Sequence, residues 1–165
     1  MVLVGDTETG KTCLSNRFGD DQFQEKHFPT VDFNFVIKTV DMGGLTIKVQ
    51  IWDTAGKVTF RNISNTILKR GTQGFIIVYD VTRPSSFALV PGLWEEFGLG
   101  EEDVVMVVGN KCDLVEGRRV STEQGEAFAR QRGALFMETS ALDSTNVEQA
   151  FLLLIAEVLH KIELK

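Results

Sequence analysis

A pattern of chemically specific residues, G-x-x-x-x-G-K-[ST], occupies residues 5–12, which we call the phosphate loop. Its glycines let backbone N–H groups turn towards an anion, and a helix that follows adds the positive end of its dipole. In such a loop Lys11 reaches the β- and γ-phosphates of a nucleotide, and the Thr12 hydroxyl ligates Mg²⁺. Apolar residues 2–4 predict a buried strand just before the loop, which is the context that phosphate binding requires. A glycine turn that matches by chance is the alternative.

A single carboxylate follows a second predicted strand. Apolar and polar residues alternate from residue 45 to residue 51, and this run is followed by Trp52 and then Asp53. An acidic residue that leaves a strand beside a phosphate loop can hold Mg²⁺ directly or through water. Thr12 and Asp53 are therefore candidate magnesium ligands.

The residues Asn110, Lys111 and Asp113 follow a third strand-like run and could recognise a base. A carboxylate at Asp113 can accept hydrogen bonds from the ring N–H and the exocyclic amine of guanine, a pair that adenine does not offer. Losing such a pair of hydrogen bonds in a dry pocket costs several kcal/mol, so the discrimination of guanine from adenine can be large. Taken alone, the pattern N-K-x-D fits a polar turn at a strand end equally well.

The elements that must position these residues follow from the hydrophobic pattern. Residues 75–79 and 104–108 are continuous apolar runs, which suit parallel strands covered on both faces. The helix between them, around residues 86–97, contains Pro91 and Gly92 and should be short or broken. Ser121 opens a capping-box pattern for the next helix.

The remaining pattern completes an α/β fold. A turn at residues 41–44 predicts an early hairpin, and an apolar stripe from residue 147 to residue 162 predicts a long final helix. We therefore expect one domain over residues 1–165, with a doubly wound, mostly parallel six-stranded sheet, one antiparallel edge strand and helices on both faces. Ligands bind at the carboxyl ends of such strands, so the candidate segments should converge on one crevice.

Composition narrows the class of protein. The net charge of −6 argues against a nucleic-acid surface, because such domains are usually strongly basic. No signal peptide is evident, and no apolar run approaches the eighteen or so residues that a membrane span needs. Cys13 and Cys112 lack metal-site spacing, which favours a reducing, cytoplasmic setting.

Together these segments resemble the Ras superfamily of small GTPases, and most nearly its Rab branch. The resemblance covers almost the whole chain and rests on segments in matching order: GDTETGKT, Thr30, WDTAG, DVTRPSSF, GNKCDL, METSA and NVEQAF. It implies a P-loop NTPase fold and a molecular switch that binds GTP or GDP with Mg²⁺, hydrolyses GTP, binds effectors in the GTP state and regulates vesicle traffic.

The resemblance also implies a role for each matching residue. Catalytic positions fall on Lys11, Thr30, Gly56 and Lys57, and metal positions on Thr12, Thr30 and Asp53. Phe23 would pack against the base, although a core anchor is its other interpretation. The complete set of nucleotide-binding positions is Gly5, Asp6, Thr7, Glu8, Thr9, Gly10, Lys11, Thr12, Cys13, Phe23, Thr30, Gly56, Asn110, Lys111, Asp113, Leu114, Ser140, Ala141 and Leu142.

Three residues depart from the family pattern. Lys57 replaces the glutamine that orients the attacking water, and a lysine cannot accept a hydrogen bond from that water. Misplacing a nucleophile costs about a hundredfold in rate, so we expect very slow hydrolysis, unless Lys57 instead offsets charge on the γ-phosphate.

Glu8 replaces a glycine of the family pattern. If its side chain points inward, it would repel phosphate by about 1–3 kcal/mol and speed nucleotide release, and if it points outward, it would do little. Leu142 replaces a lysine and can still cover a guanine ring.

The expected partners are proteins. Effectors, exchange factors and GTPase-activating proteins should contact residues about 25–37 and 56–70 of a monomer, with Phe35, Trp52 and Ile67 or Leu68 as an apolar cluster. The chain ends without a cysteine for prenylation, so we expect membrane attachment only through a tail absent from this chain. Two alternatives stay open: a pseudo-GTPase that holds nucleotide as a constitutive binding module, and an ATP-using P-loop kinase.

Overall fold

The computed structural model describes residues 1–20, 33–54, 56 and 69–165, with Phe33 described by its backbone alone. Within these ranges helices follow four of the six strands. The strands are β1 Val2–Gly5, β2 Phe33–Met42, β3 Leu45–Thr54, β4 Gly74–Asp80, β5 Val104–Asn110 and β6 Leu135–Glu138. The helices are α1 Lys11–Asp20, α2 Pro84–Ala88, α3 Val90–Glu96, α4 Thr122–Gln131 and α5 Val147–Glu163.

The strands form one sheet in the order β2-β3-β1-β4-β5-β6. All neighbouring pairs are parallel except β2 and β3, which run antiparallel at the edge. Gly43 and Gly44 join these two strands, and both have positive φ angles of 59° and 79°, as a tight hairpin turn requires. The predicted mixed sheet with one antiparallel edge strand is confirmed.

The direction in which strands are added to the sheet reverses at β1. The chain passes from β1 to β2 and β3 on one flank and then returns to β4 on the other flank of β1. A crevice opens at the carboxyl end of a sheet where the strand order reverses in this way. The phosphate loop follows β1 directly and therefore lies at that point.

Apolar side chains fill both faces of the sheet. Leu3 of β1 and Ile76 of β4 pack with α1 and α5, where the rings of Phe18 and Phe151 stack at 4.3 Å between centroids. Val2 and Val4 point the other way, into a second cluster that includes Leu93 and Trp94 of α3. Alternate residues of one strand thus reach opposite cores, which explains the continuous apolar runs.

Helix ends follow the predicted signals. The expected helix around residues 86–97 is broken at Leu89 into α2 and α3, and Pro91 lies in the first turn of α3, where its missing N–H is tolerated. Ser121 forms the predicted capping box with Gln124 at the start of α4. Among the helices of the described ranges, none has the length and apolar character needed to cross a bilayer.

Candidate functional site

The phosphate loop is closed around the ammonium group of Lys11. Nζ of Lys11 donates to the carbonyl oxygens of Gly5 at 3.0 Å and Asp6 at 2.7 Å, and the Thr9 hydroxyl donates to the Asp6 carbonyl at 3.0 Å. The loop is buried at Lys11, which is 6% exposed. Helix α1 begins at Lys11, so its first N–H groups face the loop. The arrangement concentrates positive charge and N–H donors at the end of β1, which suits an anion.

Two glycines of the site approach other backbone or side-chain atoms too closely for any other residue. Gly10 has φ +98°, and a Cβ there would collide with the side-chain amide of Asn110. A Cβ on Gly56 would lie 2.6 Å from Cα of Thr7. Gly56, which follows β3, therefore packs directly against the phosphate loop.

The two predicted magnesium ligands from described residues meet at the start of α1. The Thr12 hydroxyl donates to Oδ2 of Asp53, and the side chains are 9% and 1% exposed. Asp53 of β3 pairs with Leu3 of β1 in the sheet, and the Thr54 hydroxyl donates to the Leu3 carbonyl at 2.8 Å. These two contacts fix the end of β3 beside β1. A hydroxyl and a carboxylate are the hard oxygen donors that Mg²⁺ prefers, so these residues fit that ion.

Asn110 joins the phosphate loop to the end of β5. Its Nδ2 donates to the Thr9 carbonyl at 2.9 Å, and its Oδ1 accepts from the Thr139 hydroxyl at 3.0 Å. The side chain is 1% exposed. Asn110 thus holds two loops together, and its predicted contact with a base stays a prediction.

Asp113 lies where the chain leaves β5, in the segment 110–113 that we call the base loop. The Ser140 hydroxyl donates to Oδ1 of Asp113 at 2.8 Å and so orients the carboxylate. The N–H of Cys112 donates to the Thr139 carbonyl at 3.0 Å, which ties the base loop to the segment after β6. Leu114 and Leu142 are 46% and 49% exposed, and Ala141 is buried.

Lys111 connects three parts of the site. Its backbone has φ +65°, and Nζ lies 2.8 Å from Oδ2 of Asp80 and donates at 2.8 Å to the carbonyl of Glu8. Burial acts to raise the pKa of Asp80, but hydrogen bonds from Lys111 and Thr82 outweigh it and hold that pKa below its ordinary value. The charged carboxylate thus keeps the lysine on the phosphate loop.

Several residues of the site have no counterpart among the sequence predictions. Asp80, the last residue of β4, contacts Lys111, and Arg83, which follows that strand, contacts the phosphate loop. Arg17 of α1 donates to the carbonyls of Ala141 and Leu142, both at 2.9 Å. The signal that could have found Asp80 and Arg83 is their position at the carboxyl end of the strand beside β1.

The orientation of Glu8 distinguishes the two outcomes expected for it. Its φ of +61° is a conformation that glycine adopts more easily, and its side chain is 70% exposed. One carboxylate oxygen lies 3.8 Å from Nη1 of Arg83. The structure therefore shows the outward orientation, beside Arg83, in which we expect the carboxylate to affect phosphate little as long as Arg83 offsets its charge.

Cys13 and Cys112 are free thiols in the described part of the chain. Burial is the main cause that raises the pKa of each. Both side chains therefore favour the neutral thiol, and Cys13 contributes to the site through its position in the first turn of α1.

Five of the predicted positions lie outside the described residues. They are Phe23, Thr30, Lys57, Ile67 and Leu68. Of the expected apolar cluster, Phe35 is 52% exposed and stacks on Trp52 with a centroid separation of 5.2 Å.

Comparison with known proteins identifies the family. A model of the Ras family matches residues 1–160. The chain belongs to the Ras family. One relative is the Ras-related protein RABD2a of Arabidopsis thaliana, which is 47% identical over 96% of this chain and 78% of that protein. Another is the Ras-related protein RIC1 of Oryza sativa subsp. japonica, which is 46% identical over 96% of this chain and 79% of that protein. The Ras-related protein Rab-8B of Pongo abelii is 42% identical over 100% of this chain and 80% of that protein.

Membership of this family gives the chain its general class. Ras-family proteins are small GTPases, which bind GTP and GDP with Mg²⁺. The predicted family and the predicted P-loop α/β fold are both confirmed.

Proposed function

We propose that this chain is a guanine-nucleotide switch that binds GTP and GDP with Mg²⁺, hydrolyses GTP slowly and binds effector proteins in its GTP state. The observation that carries the proposal is the bonding between the phosphate loop and the base loop. Asn110 and Lys111 each donate to a carbonyl of the phosphate loop, at 2.9 Å and 2.8 Å. One rigid unit can therefore hold the two ends of a nucleotide.

Within this proposal the residues divide the work by chemistry. The N–H groups of residues 5–12 and the Lys11 ammonium would hold the β- and γ-phosphates, and Asp113 would accept from the N–H groups of guanine. Thr12 and Asp53 would hold Mg²⁺, with Thr30 added in the GTP state. Bound Mg²⁺ neutralises charge on the phosphate oxygens. Ser140 orients Asp113, while Ala141 and Leu142 would cover the base.

Slow hydrolysis follows from the residue at the water-orienting position. The Lys57 ammonium has three hydrogen-bond donors and no acceptor, so it cannot accept a hydrogen bond from the attacking water. The enzyme would still position GTP and stabilise charge, but it would leave the water unaligned. A long-lived GTP state is the expected consequence.

The switch would act on partners through residues about 25–37 and 56–70. Gly56 packs on Thr7 of the phosphate loop, so a γ-phosphate bound there would reach the start of the second segment. The exposed ring of Phe35, which stacks on the half-buried Trp52, offers an apolar surface for an effector. The Rab resemblance favours a role in vesicle traffic for a monomer in the cytoplasm, at the cytosolic face of a membrane if a lipidated tail is attached.

Asp113 provides the test of base recognition. We expect Asp113→Ala to weaken binding of a fluorescent GDP by about a hundredfold or more, because two charge-assisted hydrogen bonds are lost. Asp103→Ala is the matched control, since Asp103 precedes β5 at the opposite end of the same strand and pairs with Lys69 at 3.4 Å. Unchanged GDP affinity in Asp113→Ala would overturn the assignment of the base site.

A further inference from the structure

Arg83 contacts three successive residues of the phosphate loop. Its Nη2 donates to Oδ2 of Asp6 at 3.0 Å and to the carbonyl of Thr7 at 2.8 Å. Its Nη1 lies 3.8 Å from the carboxylate of Glu8. Arg83 itself is held at the start of α2, where its N–H donates to the Asp80 carbonyl at 3.0 Å and its own carbonyl accepts from the Ser86 hydroxyl at 2.7 Å.

The turn that Arg83 contacts needs such support. Glu8 adopts the left-handed conformation, which costs energy for any residue with a side chain. Asp6 and Glu8 also place two carboxylates on a loop that must attract phosphate. Arg83 supplies a positive charge to both, and its fork of N–H donors fits carboxylate and carbonyl oxygens together.

The contacts of Arg83 also reach Gly56, at the start of the second proposed partner-binding segment, residues about 56–70. Thr7, whose carbonyl accepts from Arg83, is the residue against which Gly56 packs. Oδ1 of Asp6 accepts from the Thr7 N–H at 2.8 Å, while Oδ2 accepts from Arg83. Arg83 therefore fixes Thr7 both directly and through the Asp6 carboxylate.

We propose that Arg83 is a positioning residue for the phosphate loop, which slows nucleotide release by holding the turn at residues 6–8 and by offsetting the charges of Asp6 and Glu8. This inference rests on the nucleotide binding proposed above. The acidic residue at position 8 is then tolerated because Arg83 is its counter-ion.

GDP dissociation rates test the proposal. We expect Arg83→Ala to release GDP about tenfold faster than the wild type, because charge-assisted hydrogen bonds to the loop are lost. Arg83→Lys, which keeps the charge but loses the fork, should fall between them. In a Glu8→Gly background the effect of Arg83→Ala should shrink to about threefold, since one of the two unbalanced carboxylates is gone.

The control is Arg132→Ala. The Arg132 side chain is 34% exposed, against 32% for Arg83, and it pairs with Glu95 at 3.1 Å, far from the loop in sequence. It should leave the GDP dissociation rate unchanged. An equal acceleration in Arg132→Ala and Arg83→Ala, an Arg83→Ala rate equal to the wild type, or full additivity with Glu8→Gly would each overturn the proposal.

Amide hydrogen exchange in the nucleotide-free protein separates this inference from the proposed function. Arg83→Ala should speed exchange at residues 6–8 about tenfold relative to the wild type, with no change in α4. If the wild type binds no guanine nucleotide, the proposed function fails, and the exchange rates still decide whether Arg83 holds the loop. Equal exchange in both proteins would contradict the role of Arg83.

Discussion

Side chains at the carboxyl ends of β4 and β5 hold the phosphate loop by its carbonyl groups. Asn110 donates to Thr9, Lys111 to Glu8, and Arg83 to Thr7, at 2.8–2.9 Å. Consecutive carbonyls are thus turned outward to protein donors. Because the N–H and C=O groups of a peptide unit point in opposite directions, this leaves N–H groups on the other side, which is the arrangement that phosphate binding needs.

At the residue scale, the hydrolysis step depends on Lys57. We expect Lys57→Gln to raise the single-turnover rate of GTP hydrolysis at least about tenfold, since a glutamine can both donate to and accept from the attacking water. Lys57→Ala should leave the slow rate of the wild type unchanged. A tenfold fall in Lys57→Ala would instead indicate that the lysine offsets charge on the γ-phosphate. Wild-type hydrolysis as fast as that of Lys57→Gln would contradict the prediction of a slow enzyme.

The sequence could predict residues whose spacing is fixed within one motif. Lys11, Thr12 and Asp113 fall in short patterns, and the structure brings their segments to one edge of the sheet. Arg83 and Asp6 are 77 positions apart, and their pairing depends on β1 and β4 being neighbours. Hydrophobic periodicity gives no information about such a tertiary contact, which is why Arg83 and Asp80 were missed.

At the element scale, α4 packs unusually close to the sheet. A Cβ at Gly125 would lie 2.7 Å from Cε2 of Phe136 and would also collide with the buried hydroxyl of Tyr79. We expect Gly125→Ala to lower the free energy of unfolding by about 1–3 kcal/mol, measured by urea denaturation, because the helix must move outward.

A matched glycine lies in α3. Nothing stands within 4 Å of a Cβ at Gly92, so Gly92→Ala should raise the free energy of unfolding by about 0.5–1 kcal/mol through helix propensity alone. Destabilisation of similar size in both variants would show that close packing at α4 is not the cause.

Helix boundaries could be predicted where a local signal sets them. The capping box at Ser121 begins α4 as expected, and Gly133, with φ +66°, follows the end of that helix, where a glycine is a common stop signal. The break between α2 and α3 was also expected, but its position at Leu89 depends on packing of both short helices against β4 and cannot be derived from Pro91 and Gly92.

At the scale of the whole molecule, acid stability reports on the pair formed by Asp80 and Lys111. The folded-state pKa of Asp80 lies below its ordinary value of about 3.9, so its contribution to stability is complete above that value and is lost as the pH falls through the lowered pKa. We expect Asp80→Asn to be less stable than the wild type at pH 7, with the difference shrinking below about pH 4.

Urea denaturation of both proteins across this pH range measures the effect. Asp103→Asn serves as the control for removing a carboxylate elsewhere, because Asp103 precedes β5, at the opposite end of that strand from Lys111, and pairs with Lys69 at 3.4 Å. A stability difference for Asp80→Asn that stays constant down to pH 2 would contradict the assigned pKa shift.

The architecture could be predicted from the chain because continuous apolar runs and one alternating hairpin leave few ways to build a sheet. The continuous apolar runs of β4 and β5 require other elements to pack on both faces of the sheet. The hydrophobic clusters that contain Leu3 and Val4 fill those two faces. The strand order itself depends on which side of β1 each crossover takes, and only the structure shows it.

The most direct test of the central claim is to identify the nucleotide that the purified protein binds and to measure what displaces it. We expect GDP or GTP to be bound at about one per chain in the presence of Mg²⁺, displaced by excess GDP but not by excess ATP. Displacement by ATP at equal concentrations, or a protein that binds no guanine nucleotide at all, would contradict the assignment of a guanine-nucleotide switch.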